Sequence, residues 1–342
     1  MELHRLFGVE LPVIQAPMAG VQDSALTIAV CAAGGLGGLP CAMFDAAAIR
    51  REVGAIRAAT KAPFNLNFFC HRPPVVDDAR EAAWRHVLAP YYREFGLDID
   101  AVPRGGGRFP FDAASAGIVE EVRPSVVSFH FGLPEPALLE RVRASGARIV
   151  ASATTVDEAV WLERRGADAI IAQGLEAGGH RGHFLDDDLS LQSGTFALLP
   201  RIAAAVRAPV IAAGGIADRA GVEAALRLGA SMVQVGTAYL CCPEATTTRI
   251  HRQALASASA SHTALTRLIT GRPARGIVNR LMREVDDASA PAFPLATAAS
   301  GALRAAAEAR GSGDFSPLWC GQNASGSKEL PAGEVTRGLA GV

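Results

Sequence analysis

Eight times along the chain a short apolar run is set off by helical stretches, and few folds accept that rhythm. The runs lie at 12–17, 36–40, 64–69, 125–131, 148–153, 169–174, 209–213 and 232–237. Short, largely apolar runs of this kind read as strands covered on both faces. The stretches 24–33, 45–58, 112–121, 135–145, 155–165, 195–206 and 219–228 read as helices between them. Ser24 and Asp45 suit N-caps, and Gly34-Gly35 suits a helix end. Such strands alternating with helices build a parallel sheet, and eight units close it into a barrel. The expected fold class is α/β, a (β/α)8 TIM barrel over residues 1–245.

Two segments depart from the rhythm. Residues 71–108 form an insert after strand three: His71-Arg72-Pro73-Pro74 opens it, an amphipathic helix fills 79–95, and Gly105-Gly106-Gly107 closes it. It reads equally well as a lid or as a covering helix. Residues 246–342 lie beyond the eighth strand and read as a C-terminal helical extension packed on the barrel. Helices are expected at 246–258, 265–284 and 296–310, followed by an extended tail rich in Gly and Ser. A basic cluster at 271–275, with Arg280 and Arg283, reads as a solvated face or a subunit contact.

Lysine plus arginine is 33 against 34 acidic residues, a net charge of −1, so neither nucleic acid nor an anionic membrane is an expected partner. The six cysteines form no CxxC pair, which suits a reducing cytoplasmic setting. The first ten residues do not read as a signal peptide, and no apolar run is long enough to span a bilayer. A homo-oligomer stays open.

In such barrels chemistry collects at the C-terminal ends of the strands. There the chain places Ala16-Pro17-Met18, Asn67, His130, the loop 173–182, Gly214-Gly215 and Gln234-Val235-Gly236-Thr237. The loop carries Gln173, Gly178, Gly179 and His180. Its glycines let backbone N–H groups approach a ligand, and an imidazole there titrates near neutrality. Gly214-Gly215 and Gly236-Thr237 follow strands seven and eight, the usual phosphate site of the fold. Phosphate at one side, the amides of Asn67 and Gln173 centrally and an apolar Pro17-Met18 turn suit FMN. No GxGxxG lies between a strand and a helix. His130 is a candidate substrate contact or a structural histidine. His183 lacks the partners of a metal site, so no metal is expected. Cys241-Cys242 read as packing.

The segments 13–20, 64–67, 128–132, 173–182, 212–216 and 234–237 together resemble the nitronate monooxygenase family, formerly called 2-nitropropane dioxygenases. The resemblance runs from Pro12 to about Arg283, and the glycine-histidine loop is its most specific part. It implies FMN held by Asn67, Gln173, Gly178, Gly215 and Gln234 to Thr237, with His180 catalytic. The implied reaction takes an alkyl nitronate, or a nitroalkane deprotonated by His180, with O2 to a carbonyl compound and nitrite. The same barrel and loop occur in FMN-dependent enoyl-ACP and NADH:quinone reductases, which stay as the alternative. An acidic carrier protein would find no strong basic run at the mouth. A flavin-free isomerase or aldolase and a non-catalytic flavoprotein also stay open.

Overall fold

The structure, a computed structural model, describes residues 6–102 and 108–342. Eight parallel strands form the barrel: β1 Val13–Gln15, β2 Gly37–Pro40, β3 Phe64–Phe69, β4 Val126–His130, β5 Arg148–Ala153, β6 Ala169–Gln173, β7 Val210–Ala213 and β8 Met232–Val235. Their order around the sheet is β1-β8-β7-β6-β5-β4-β3-β2. The ring closes between β1 and β2, where Gln15 N donates to Leu36 O at 3.0 Å and Leu36 N to Val13 O at 2.9 Å. This is the expected (β/α)8 TIM barrel.

The pleat sorts the side chains. Successive residues of a strand point to opposite faces. On β3, Phe64, Leu66 and Phe68 pack outward among the helices, and Asn65, Asn67 and Phe69 point inward. On β6, Ile170 and Ala172 face out while Ala169, Ile171 and Gln173 face in. Ile14, Leu36, Val126, Val150, Ile171, Ile211 and Met232 fill the barrel's lower interior. Each large aliphatic or aromatic side chain so buried contributes about 1.5–3 kcal/mol. The polar inward residues sit above this plug, at the strands' C-terminal ends. Asp45, Asp112, Thr155 and Asp218 cap the helices that follow them through side-chain oxygens.

The insert's helix, Asp78–Phe95, is capped by Asp77 and ends at Gly96 in the left-handed region. It buries Trp84, Leu88 and Tyr92 against Leu268, Leu281, Leu303 and Phe315 in a second core outside the barrel. Tyr92 Oη donates to Ala299 O at 2.7 Å. The helix thus covers the C-terminal region. The triple glycine at 105–107 lies outside the described residues.

The expected helix over 265–284 is not formed. Thr263–Thr266 and Ala274–Ile277 are antiparallel strands, and only Arg280–Glu284 is helical. Gly271, at φ +94°, and Pro273 are poor helix formers, and strand pairing takes up the backbone instead. The basic cluster is only in part a solvated face: Arg283 is exposed, but Arg272 and Arg275 turn into the protein. Arg272 lies 4.3 Å from the centre of the Phe131 ring and donates to His183 O. Arg275 Nε donates to Leu175 O at 2.9 Å. Arg280 pairs with Glu94 and Glu284. Nor is the end of the chain wholly extended. Ala332–Ala340 is a helix that buries Ala332, Val335, Thr336 and Leu339 against the barrel, and their i, i+3, i+4, i+7 spacing marks a helical stripe. Among the described residues no helix is long and apolar enough to cross a membrane.

Candidate active site

A cavity with about 1340 Å³ of empty space, part of it open to solvent, occupies the mouth of the barrel. Ala16, Pro17, Met18, Asn67, His130, Gln173, Gly178, Gly179, His180, Gly214, Gly215, Gln234, Val235, Gly236 and Thr237 all line it. The geometry brings together the residues that the sequence placed at strand ends. It also divides their labour.

His180 does not ride on a free loop. Gly179–His180 pairs antiparallel with Ala274–Arg275, and Arg181 N donates to Pro273 O at 2.8 Å. The backbone carbonyl of His180 accepts from Gln173 Nε2 at 2.9 Å and from His130 Nε2 at 3.2 Å. A carbonyl can only accept, so His130 carries its proton on Nε2. Its Nδ1 therefore accepts from Ser152 Oγ at 3.0 Å. With both ring nitrogens bonded within the protein, His130 holds His180 and offers no ring nitrogen to a substrate. Gln173 is committed in the same way: its Oε1 accepts from Gly182 N at 2.8 Å.

The His180 ring sits among Phe69, Phe131, Phe293 and Trp319, with centroids 5.4–6.1 Å away. Its Nε2 is 2.9 Å from Thr270 Oγ1, and Thr270 Oγ1 is 3.5 Å from Arg272 O. Burial holds the imidazole well below its ordinary pKa, helped by the charge of Arg108, by His130, by Arg272 and by His71. The same cause takes His130 down to about 3. Both rings are neutral at pH 7.

Arg181 anchors the loop from beneath. It is fully buried and donates to Gln192 Oε1 at 2.8 Å, Gly174 O at 2.7 Å and Gln173 O at 2.8 Å. Burial lowers its pKa to about 10, which leaves it charged at pH 7. Hydrogen bonds to a charged group contribute about 1.5–3 kcal/mol each, and relief of the buried charge offsets part of that on removal. Arg181→Met is expected to destabilise the fold by about 2–4 kcal/mol, because three acceptors lose their donor. A thermal melt measures this; an unchanged midpoint would show that the loop does not depend on the guanidinium.

At the other end, Gly214 and Gly215 adopt φ of +114° and +76°, and Gly236 precedes the short 3-10 turn Thr237–Tyr239. The C-terminal segment closes this end. Gly321 N donates to Thr237 Oγ1 at 3.0 Å, and Asn323 Nδ2 donates to Gly215 O at 3.1 Å. A Cβ on Gly178 would lie 2.6 Å from Gly321 N, so this backbone approach requires glycine.

His183 is buried on the far side of the loop, 3.4 Å from Asp187 Oδ1. Among the described residues no group of three His, Cys, Asp or Glu side chains is arranged to hold a metal. Cys241 and Cys242 are buried thiols raised by burial, Cys242 to about 12. Sequence reasoning missed Phe69, Arg108, Ser128, Ser152, His251, Trp319, Gly321 and Asn323, all of which line the cavity, and Thr270, which bonds His180. The strand-end rule reached Asn67 and His130, and the pleat extends it to Phe69 and Ser128. The C-terminal residues arrive through long-range packing that no local pattern announces.

The sequence pattern described as nitronate monooxygenase matches residues 1–340. The nitronate monooxygenase of Pseudomonas aeruginosa is 44% identical, over 98% of this chain and 97% of its own length. The crystal structure of nitroalkane oxidase from Streptomyces ansochromogenes superposes with a TM-score of 0.90 at 37% identity, covering 100% of this chain and 97% of that one. FabK from Thermotoga maritima gives 0.74 at 25% identity, over 98% and 94%. With a barrel mouth built from the family's segments and these matches running the length of the chain, the protein belongs to the nitronate monooxygenase family, a family of oxidoreductases.

Proposed function

We propose that the protein binds FMN in the barrel mouth and oxidises alkyl nitronates, and nitroalkanes through them, with O2 to a carbonyl compound and nitrite. The observation that carries this reading is a neutral imidazole, His180, fixed in the wall of a cavity that Gly214, Gly215, Gly236 and Thr237 also line. The residues suit the cofactor. Gly214-Gly215 and Gly236-Thr237 offer backbone at the phosphate end. Asn67, held by Nδ2 to Ser128 Oγ at 2.9 Å, and the Ala16-Pro17-Met18 turn line the rest. Bound there, the flavin would take an electron from the nitronate, leaving O2 to complete the oxidation.

The protein's own part is positioning and proton transfer. If Thr270 donates to Arg272 O, its Oγ1 accepts from His180 Nε2–H, and Nδ1 keeps the lone pair that a base needs. The aromatic side chains of Phe69, Phe131 and Phe293 flank the ring on the protein side and suit a small organic substrate.

The test is anaerobic mixing of the purified protein with a nitronate and, separately, with NADH, watching flavin absorbance. Bleaching by nitronate alone, with nitrite formed once oxygen is admitted, is expected. Rapid bleaching by NADH with no response to nitronate would move the protein to the reductases. Gly236→Leu is expected to fold but to lose the cofactor. A Cβ there meets only Ala16 and Met18, at 3.4 and 3.6 Å, so the remaining side chain lies in the cavity. Full flavin content in that variant, read from absorbance and mass of the released cofactor, would put the phosphate elsewhere.

A further inference from the structure

We propose that Arg108, at the end of the insert, is the anion-binding arm of this site, its guanidinium taking the nitro oxygens while His180 takes the α-proton. The inference rests on the nitronate reading for its substrate, though not for the anion site itself.

Arg108 reaches the cavity from outside the barrel. Its Nη1 donates to Thr297 Oγ1 at 3.1 Å, and its Cζ lies 6.0 Å from the centre of the Phe293 ring. Phe293 in turn packs on His180, with centroids 5.4 Å apart. The guanidinium is therefore held at the His180 end of the cavity, away from the glycine cradle. Its Nε is buried with no hydrogen-bond partner. The one charge that bears strongly on it is the repulsion of Arg304; among the described residues no carboxylate compensates it. Glu176, the carboxylate of the cavity wall, is committed to Thr195 N and Oγ1. Burial lowers Arg108 only to about 10, so the cation persists at pH 7. A desolvated cation without a counter-ion is costly, and an anionic ligand removes the cost.

The chemistry needs a cation there. When a base removes the α-proton of a nitroalkane, the C–H pair becomes the C=N bond and the negative charge settles on the two nitro oxygens. A planar fork beside the base stabilises that charge as it forms. Arg108 is also the foremost charge depressing the imidazole, ahead of His130, Arg272 and His71, which face it from β4, the segment between the C-terminal strands and the end of β3.

The experiment compares Arg108→Met and Arg108→Lys with wild type, as purified holoenzymes. Sodium nitrate, a planar unreactive mimic of the nitronate head, is titrated calorimetrically. Ethylnitronate and nitroethane are assayed by oxygen uptake across pH. Arg108→Met is expected to weaken nitrate about 10- to 150-fold and to raise KM for ethylnitronate by a similar factor. It should also move the acid limb of the nitroethane profile upward, because the imidazole loses its strongest repelling charge. Arg108→Lys should keep the acid limb near wild type and recover part of the binding. Unchanged nitrate affinity with an unmoved acid limb would overturn the proposal. Nitrate is read whether or not nitronates turn over, so loss of the assigned reaction and loss of the anion site are separate outcomes.

Discussion

His180→Asn is expected to lower oxidation of a neutral nitroalkane by about 10²- to 10⁴-fold, the usual contribution of a positioned general base. That is roughly 3–5 kcal/mol of barrier. Asparagine can hydrogen-bond but cannot accept the proton. Ethylnitronate has no α-proton left to lose, so its turnover should fall far less, and flavin content should be unchanged. Because enclosure holds the imidazole well below its ordinary pKa, wild-type activity on nitroethane should not decline at pH 6.5. Its acid limb should appear well below that pH. Oxygen uptake with both substrate forms decides. Equal losses on the two would make His180 a binding group, and an undiminished nitroalkane rate would remove it from the chemistry.

The second large effect concerns stability in acid. His71, His183 and His251 are 5%, 1% and 4% exposed, and burial lowers them to about 4, 3 and 4. The unfolded chain titrates them near 6.5. Below that pH the unfolded state binds protons that the folded state refuses, so stability is full above about 6.5 and is lost as pH falls. At pH 5 each contributes a loss of about 2 kcal/mol, about 6 kcal/mol together, comparable with the whole stability of many domains. The urea midpoint should drop steeply between pH 7.5 and 5, and His183→Asn should lessen the slope by about one proton. A flat midpoint over that range would mean that these rings take up protons without unfolding.

The barrel was legible because its signal is local. Ile170, Ala172 and their neighbours on each strand announce burial on both faces, and Asp45 announces a helix start, while the cap expected at Ser24 is supplied one residue earlier by Asp23. The wall of the cavity was half legible for the same reason: residues at strand ends must lie at the mouth. What lay hidden depended on contacts distant in sequence. Leu265, Leu268 and Ile269 look helical by spacing, yet Gly271 and Pro273 turn the chain into a hairpin that joins Gly179–His180. Gln173 and His130 reach the site as expected, and only the bonds of the folded loop reveal that they grip His180.

That hairpin orders events during synthesis. β8 ends at Val235, and the barrel has all its strands once this part of the chain is made. His180 finds its partner strand only at Ala274, Gly276 is bridged by Trp319, and the cradle is closed by Gly321 and Asn323. At roughly 5–20 residues per second, a ribosome takes several seconds to travel from the last barrel strand to those residues. Through that interval the nascent chain has every barrel strand but not the residues that finish the mouth. The histidine is set and the cavity closed only once these later residues are made, so the last barrel strand leaves the ribosome before the centre it serves can be complete.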